Sequence, residues 1–162
     1  MIDGYENLES LAAKAEPDFR RYYKKNLKQL KKMDYEVHQL HDNYTETIDC
    51  LECANCCKTL GPRITDSDIK KMAKALNMSP SQVLDIYIRI DEDGDYVFKE
   101  TPCPFLMPDN YCLIYDYRPK ACREYPHTDR RKFYQVYKLS VKNAYTCPIA
   151  YEVLSGILRI KK

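Results

Sequence analysis

The sequence predicts a mainly α-helical fold with one short β-hairpin, on three observations. Apolar residues recur every three or four positions near both ends of the chain, which is the spacing of an amphipathic helix. Two stretches in the middle begin with the pattern of a capping box. One Asp-Gly pair separates two short runs of β-forming residues, which is typical of a hairpin turn.

Two helices are predicted before the first cysteine. The first covers residues 5–15, and we expect Pro17 to end it, since a proline disfavours helix at the preceding residue. The second runs from Pro17 to His41, with basic side chains mostly off its apolar stripe, and we interpret those side chains as a solvated face. We therefore expect an N-terminal helical arm over residues 1–45. The remaining residues, 46–162, would form a single cysteine-rich domain organised by metal, against which the arm packs.

The middle of the chain carries clear start signals for further elements. Thr65 with Asp68, and Ser79 with Gln82, predict the first turns of two helices. Strands are predicted on either side of Asp93-Gly94, and residues 101–127 are predicted to be mostly loop. Residues 130–143 fit either a strand or a helix. The chain ends in a predicted helix with its apolar side formed by Ile149, Val153, Leu154, Ile157 and Leu158.

Composition narrows the function classes. The formal net charge of +2 gives no argument for a nucleic-acid partner or an anionic membrane. No apolar run approaches the ~18 residues that a membrane span needs, and the N-terminal segment lacks the features of a secretory signal. We therefore expect a cytoplasmic protein without a membrane or nucleic-acid partner. In that reducing compartment, clustered cysteines are more often metal ligands than disulfides.

Eight cysteines are the candidate metal ligands, and four of them fall within the eight residues "CLECANCC". Thiolate is a soft ligand that suits zinc and iron–sulfur centres, and a C-x-x-C step can aim two sulfurs at one ion. The adjacent pair is not expected to serve one ion together, which leaves two centres or one multinuclear cluster open. The eight are Cys50, Cys53, Cys56, Cys57, Cys103, Cys112, Cys122 and Cys147.

Ligand type does not separate zinc from iron. A C-x-x-C-x-x-C run with a remote Cys-Pro, offered by Cys103 and Cys147, is similar to the bacterial ferredoxin pattern that holds a 4Fe–4S cluster. Zinc also binds thiolate tightly. Four thiolates on either centre leave a charge of about −2. Candidate counter-charges are Lys58, Arg63, Arg118, Lys120 and Arg123.

Other motifs give weaker signals. The acidic residues 91–95 lack the length of a calcium-binding loop and favour a hairpin turn. His38 and His41 lie one turn apart without a third ligand, and we expect them to favour the end of their helix. His127 is interpreted as an exposed loop residue. Phosphate-binding loops and nucleophile elbows are absent from the sequence. Because no acid–base pair stands out, catalytic residues are left unknown.

Three segments carry a family resemblance: "CLECANCC", "ITDSDIKKMAKALNMS" and "CPFLMPDNYCLIYDYRPKACREYP". Together they resemble the CxxCxxCC, or YkgJ-like, cysteine-cluster family, which is described as zinc- or iron-chelating. The resemblance implies metal binding by all eight cysteines and no settled reaction. One relative that the resemblance suggests, flagellin lysine methylase, carries a similar cysteine cluster inside a larger enzyme. Ala54 stands where members commonly have glycine, and it adds strain if that turn needs a positive φ.

Three function classes follow from these observations. The first is a cytoplasmic metal-binding protein whose zinc or iron is structural or redox-active. The second is an iron–sulfur-dependent enzyme or electron-transfer partner. The third is a zinc-stabilised module that binds another protein, with the N-terminal helix as a candidate contact.

Overall fold

The computed structural model describes residues 4–160 and confirms the mainly α-helical class with one two-stranded hairpin. The elements in chain order are α1 (Leu8–Leu30), α2 (Asp34–Thr47), α3 (Cys50–Cys53), α4 (Asn55–Thr59), α5 (Asp66–Leu76), α6 (Pro80–Tyr87), β1 (Ile88–Ile90), β2 (Tyr96–Phe98), α7 (Lys120–Glu124), α8 (Tyr137–Asn143) and α9 (Pro148–Arg159). Short 3₁₀ helices occur at Tyr115–Tyr117 and Phe133–Gln135.

Residue contacts divide the chain into two compact units. Unit 1 comprises the residues up to Cys53 together with those from Pro126 onward, and unit 2 comprises Ala54–Tyr125. The predicted division into an arm over residues 1–45 and a domain over residues 46–162 stays a prediction.

Unit 1 is built around α9, which packs against α1, α2 and α8. The apolar side of α9 follows the predicted stripe, except that Leu158 is 36% exposed and lies off it. Burial of such a stripe is the main stabilisation that tertiary structure adds to an amphipathic helix. The largest fully buried side chains of this unit are Phe19, Leu30, Val37, Phe133, Tyr137, Val153, Leu154 and Ile157.

The predicted break at Pro17 is wrong. Helix α1 continues through Pro17, which lies exposed within it, and has non-helical dihedrals only at Asn26 (φ −120°, ψ 23°). There the Asn26 side-chain amide donates a 3.2 Å hydrogen bond to the carbonyl of Tyr22. A side chain that takes an acceptor of the helical ladder is a recognised cause of a kink. The proline costs α1 one backbone hydrogen bond but does not end it.

The long helix ends instead at Leu30, and α2 begins at Asp34. The Asp34 carboxylate accepts hydrogen bonds from the backbone N–H groups of Lys132 (2.6 Å) and Phe133 (3.0 Å). This contact joins residues about a hundred positions apart, so no local sequence pattern predicts it. Helix α2 then extends to Thr47, six residues beyond the predicted end.

Unit 2 combines α5, α6 and the hairpin. Both predicted capping boxes form, at Thr65 with Asp68 and at Ser79 with Gln82. Strands β1 and β2 pair antiparallel around Gly94, whose φ of 81° favours glycine. The apolar core of unit 2 consists of Ile64, Ile69, Met72, Ala73, Val83, Ile88, Phe98, Phe105 and Ile114.

Two remaining expectations are settled by the helices. Residues 137–143, where the sequence left strand or helix open, form α8. Residues 101–127 are mostly loop, as predicted, and contain α7 and one 3₁₀ turn. Among the helices of residues 4–160, none combines the length and the apolar character that crossing a bilayer requires.

Candidate metal centre

The eight cysteines fall into two sets, one in each unit. Unit 2 contains Cys56, Cys57, Cys103, Cys112 and Cys122, all of them half-buried. Unit 1 contains Cys50, which is exposed, Cys53, which is half-buried, and Cys147, which is buried. All eight are present as thiols rather than disulfides. The "CLECANCC" segment therefore contributes sulfurs to both units.

Ala54 marks the boundary between these sets. It has left-handed dihedrals (φ 47°, ψ 18°) and separates α3, which ends at Cys53, from α4. The turn therefore has the positive φ at which an alanine is strained. Cys50 and Cys53 therefore lie in α3, and Cys56 and Cys57 lie in α4.

Cys56 and Cys57 are adjacent in α4, and their side chains are in contact. Their sulfurs lie 4.0 Å apart and share a hydrogen bond. Two sulfurs on one tetrahedral zinc lie about 3.8 Å apart, given a Zn–S distance of about 2.3 Å. The expectation that this pair does not serve one ion together stays a prediction.

Backbone contacts bring the second block of cysteines to Cys57. The N–H of Cys103 donates to the carbonyl of Cys57 at 2.8 Å, and Leu106 forms a β-bridge with Cys112. The Cys103 and Cys112 side chains also pack against the apolar core of unit 2. Three sulfurs from distant parts of the sequence are thus brought to one region of unit 2.

Asp68 positions the helix that carries Cys122. Its carboxylate accepts a 3.0 Å hydrogen bond from the backbone N–H of Lys120, the first residue of α7, and also accepts from the backbone and hydroxyl of Thr65. Asp68 is only 2% exposed. Burial acts to raise the pKa of Asp68, but these donors and the nearby Arg123 charge outweigh it, so the pKa lies below its usual value.

In unit 2, the charges of neighbouring thiols contribute to raising the pKa of Cys103, Cys112 and Cys122. Burial, followed by the neighbouring Cys57 and Cys112 thiols, raises the pKa of Cys103 to about 11. Burial, followed by Cys103, Cys57 and Cys112, raises the pKa of Cys122 to about 12. Burial and Cys57 also raise the pKa of Cys112. Ionising all four together without a cation is therefore strongly unfavourable.

Cys57 is the exception among these thiols. The hydrogen bond with Cys56 lowers the pKa of Cys57 most; burial opposes this, and the positive charges of Arg118 and Lys58 lower it further, to about 7. A lowered pKa makes a thiol a better metal ligand and nucleophile near neutral pH. Cys57 therefore ionises more readily than Cys103, Cys112 and Cys122.

Arg118 is the cation that acts on most of these sulfurs, since it lowers the pKa of Cys57, Cys112 and Cys122. Its guanidinium lies 3.5 Å from the centre of the Tyr115 ring, and its Nε donates to the Tyr115 carbonyl at 2.8 Å. Arg123 donates in turn to the carbonyl of Arg118.

Two other candidate counter-charges pair with carboxylates. Arg63 lies 2.9 Å from Asp95, and Lys120 lies 3.6 Å from Glu124. Of the five basic residues proposed from sequence, Arg118 and Lys58 both act to lower the pKa of Cys57.

The thiols of unit 1 lie in α3 and at the start of α9. Cys147 is the residue before this helix and is 8% exposed, while Cys50 and Cys53 lie three residues apart in α3. Burial raises the pKa of Cys147 to about 12; the N–H groups of Ala150 and Ile149 oppose this, and the Cys50 and Cys53 thiols add to it. The three thiols of unit 1 are therefore electrostatically coupled as well.

The donor chemistry suits zinc or iron, but the coordination spheres are not closed. Within residues 4–160, no three Cys, His, Asp or Glu side chains converge closely enough to hold one ion. Thiols held near one another, with basic residues beside them, are the chemistry that a thiolate-bound metal needs. Rotation of side chains and movement of loops would be required to bring four sulfurs into contact with a metal.

The histidines take structural positions. His38 and His41 lie inside α2 rather than near its end, so the expected role at a helix C-terminus is wrong. His41 Nδ1 is 2.7 Å from the hydroxyl of Thr128, which is fully buried. His127 is half-buried rather than exposed and has a φ of 70°.

Two supporting residues were missed by sequence reasoning. Asp68 was predicted only as a capping residue, because its bond to Lys120 spans 52 positions. Tyr115 was not singled out, although an aromatic residue three positions before an arginine is a signal for the stacking seen here.

Comparison with known proteins gives one match. The model of the CxxCxxCC family, described as "putative zinc- or iron-chelating domain", matches residues 49–148. This range includes every one of the eight cysteines. No curated protein and no solved structure matches the chain.

Proposed function

Because the chain belongs to the CxxCxxCC family, we propose that it is a cytoplasmic metal-binding protein that chelates zinc or iron through its clustered cysteines. The metal would be structural or redox-active. That the N-terminal helix contacts a protein partner also stays a prediction.

One observation carries this proposal: four thiols from separate parts of unit 2 lie in one region, where Cys57 contributes to raising the pKa of the other three. Cys57, Cys103, Cys112 and Cys122 span 66 positions of the chain. Gathering four sulfurs against an apolar core has no evident packing advantage over gathering apolar side chains. A divalent cation, by contrast, would replace their protons and remove the mutual repulsion of the thiolates.

The residues of unit 2 indicate what a bound metal would do. It would join the short helix α4, which carries Cys57, to the loop from Cys103 to Cys112 and to the short helix α7. Such a link stabilises the fold by an amount of order 10 kcal/mol for structural zinc. An iron centre would add the capacity to carry electrons. Arg118 and Lys58 would offset the negative charge of the thiolates.

Metal analysis of protein purified without oxygen tests the proposal. We expect stoichiometric zinc or iron, with a colourless protein for zinc and visible charge-transfer absorption for an iron–sulfur cluster. The Cys103→Ser variant should lose metal, whereas Thr101→Ser, an exposed change in the same loop, should retain it. Wild-type protein that is free of transition metals and fully folded would contradict the proposal.

A further inference from the structure

We propose that unit 1 carries a basic surface that binds an acidic segment of another protein. The surface is formed by the second half of α1, the loop before the 3₁₀ helix at Phe133–Gln135 and the first turn of α8. It gives a place and a chemistry to the predicted partner contact of the N-terminal helix, and it does not depend on metal binding by the cysteines. Its exposed cations are Lys24, Lys25, Lys28, Lys31, Lys32, Arg130, Arg131, Lys132 and Lys138.

The end of α1 supplies the first part of the basic surface. Lys31 and Lys32 follow Lys28 by three and four residues, which are neighbouring positions on the surface of a helical turn. All three side chains are exposed, whereas Leu30 between them is fully buried. The last turn of α1 therefore presents a group of cations to solvent and packs its apolar side inward.

A second run of cations is held at this end of α1 by Asp34. Its carboxylate accepts hydrogen bonds from the backbone N–H groups of Lys132 (2.6 Å) and Phe133 (3.0 Å). Residues 130–132 have the sequence Arg-Arg-Lys, and all three are exposed. Because Asp34 begins α2 directly after the turn that ends α1, this loop lies beside the lysines of the helix. The two runs of cations are about a hundred positions apart in the sequence, so only the fold brings them together.

Aromatic rings restrain two of the lysine side chains. The Lys31 ammonium lies 5.4 Å from the centre of the Tyr134 ring, and the Lys138 ammonium lies 5.4 Å from the centre of the Tyr23 ring. A cation over an aromatic face is attracted by the ring, which limits the freedom of a flexible lysine. A charge that is already restrained loses less side-chain entropy when a partner binds.

The cations of the basic surface have no carboxylate partners in the part of the chain that the structure describes. The ion pairs among residues 4–160 are those of Arg20, Arg21, Arg63, Lys120 and Arg159. Of the nearby carboxylates, Asp34 accepts from backbone N–H groups, and Asp129 is exposed. Like charges held close together repel one another, and an anionic partner would relieve that repulsion.

The backbone of the loop is strained at the same place. Lys132 has left-handed dihedrals (φ 58°, ψ 48°), which are unfavourable for an L-residue other than glycine. Its N–H is one of the two that Asp34 accepts. Strain that the surrounding contacts maintain is typical of positions with a role in binding.

The surroundings favour an acidic protein segment over a nucleic acid or a membrane. The formal net charge is only +2, so the chain outside the basic surface is net negative and would repel an extended polyanion. The Tyr23 ring is already in contact with Lys138 and stacked on Tyr137, so it offers no open platform for a base. Tyr35, next to Asp34, is 70% exposed and provides the aromatic contact that is enriched at protein–protein interfaces. A short run of Asp and Glu side chains matches the cations without meeting the rest of the chain.

Binding of a short, fluorescein-labelled poly-glutamate peptide, followed by fluorescence anisotropy, tests the proposal. We expect wild type to bind the peptide with an affinity that falls as the salt concentration rises. The double variants Lys28→Gln/Lys31→Gln and Arg130→Gln/Arg131→Gln should each weaken binding about tenfold, because each removes two exposed charges from the surface.

Two further variants separate the arrangement of the charges from their number. Lys70→Gln/Lys71→Gln removes the same charge from exposed residues of α5 in unit 2 and should leave peptide binding unchanged. Asp34→Ala removes a negative charge but also releases the loop at residues 130–132. If the arrangement matters, Asp34→Ala weakens binding although the protein becomes more positive.

Several results would overturn the proposal. These are no binding of the peptide by wild type, equal losses in the α5 control and the surface variants, or tighter binding by Asp34→Ala. Tighter binding of wild type to duplex DNA or to phosphatidylserine vesicles than to the peptide, at the same salt concentration, would assign the surface to a phosphate-bearing partner instead. The glutamine substitutions are at exposed positions, and circular dichroism checks that every variant is folded. Metal content should be the same in all variants, so failure of this proposal would leave metal binding by the cysteines in place.

Discussion

Ala54 shows how one residue at the turn between two cysteine sets affects stability. Its φ of 47° places a Cβ in the left-handed region, which costs an L-residue roughly 1–2 kcal/mol. Its side chain is only 5% exposed. Glycine adopts this conformation without the Cβ penalty, although it gains entropy in the unfolded chain.

We therefore predict that Ala54→Gly stabilises the protein by about 1 kcal/mol. Chemical denaturation, followed by circular dichroism, measures this change. Ala13→Gly is the matched control, since Ala13 is an exposed residue inside α1, where the same substitution should destabilise by about 1 kcal/mol. A loss of stability in both variants would contradict the prediction and show that the lost burial of the Ala54 methyl group outweighs the relief of backbone strain.

Arg118 is the residue whose charge should matter most for metal affinity. It acts on three of the unit 2 thiols and is held in place by the Tyr115 ring. A positive charge beside thiolates stabilises the ionised form that binds the metal.

We predict that Arg118→Gln weakens zinc binding about 10- to 100-fold, as measured by competition with a coloured chelator. Arg63→Gln removes the same charge from a residue that pairs with Asp95 instead, and it should change the affinity far less. Equal losses in the two variants would indicate a general effect of net charge rather than a specific role of Arg118.

Between elements, Asp68 joins the start of α5 to the start of α7. Its buried carboxylate accepts hydrogen bonds from Thr65 and from the Lys120 N–H, and these lower its pKa. A group with a lowered pKa in the folded state stabilises that state above the pKa of the unfolded chain. This stabilisation is lost as the pH falls through the lower pKa of the folded protein.

We predict that Asp68→Asn destabilises the protein by about 2 kcal/mol at neutral pH. The difference from wild type should shrink below about pH 4, where the unfolded carboxyl also becomes protonated. Unfolding measured over a pH series checks this. Asp66→Asn changes an exposed carboxylate in the same first turn and should have little effect at any pH. A difference that grows on acidification would reverse the assigned sign.

How far elements could be predicted depends on whether their signals are local. The caps at Thr65 and Ser79 were predicted because each uses residues within three positions. The end of α1 was mispredicted because Asp34 is held by residues 132 and 133, and a surface proline was too weak a signal to override packing. The cysteines stood out by type, but the unit in which each lies depends on long-range contacts that their spacing does not reveal.

Over the whole molecule, the two units differ in how much of their structure depends on cysteines. Unit 1 has long helices packed around buried apolar residues such as Phe19, Tyr137 and Leu154. In unit 2, α5, α6 and the hairpin share an apolar core, but residues 101–125 are mostly loop. A loop segment with few regular hydrogen bonds opens easily unless another link restrains it.

We predict that removing the metal increases amide hydrogen exchange most strongly at residues 101–125, and much less in α9. Exchange followed by mass spectrometry, with and without a chelator under reducing conditions, measures this. Metal affinity is folding free energy only for the segments that metal ligation orders, so the increase should follow the ligands rather than the whole chain. Cys112→Ser should produce the same local increase without chelator, and Thr101→Ser should not. A uniform increase in both units would mean that the metal supports the entire fold; no increase at all would mean that the apolar core of unit 2 holds these loops without it.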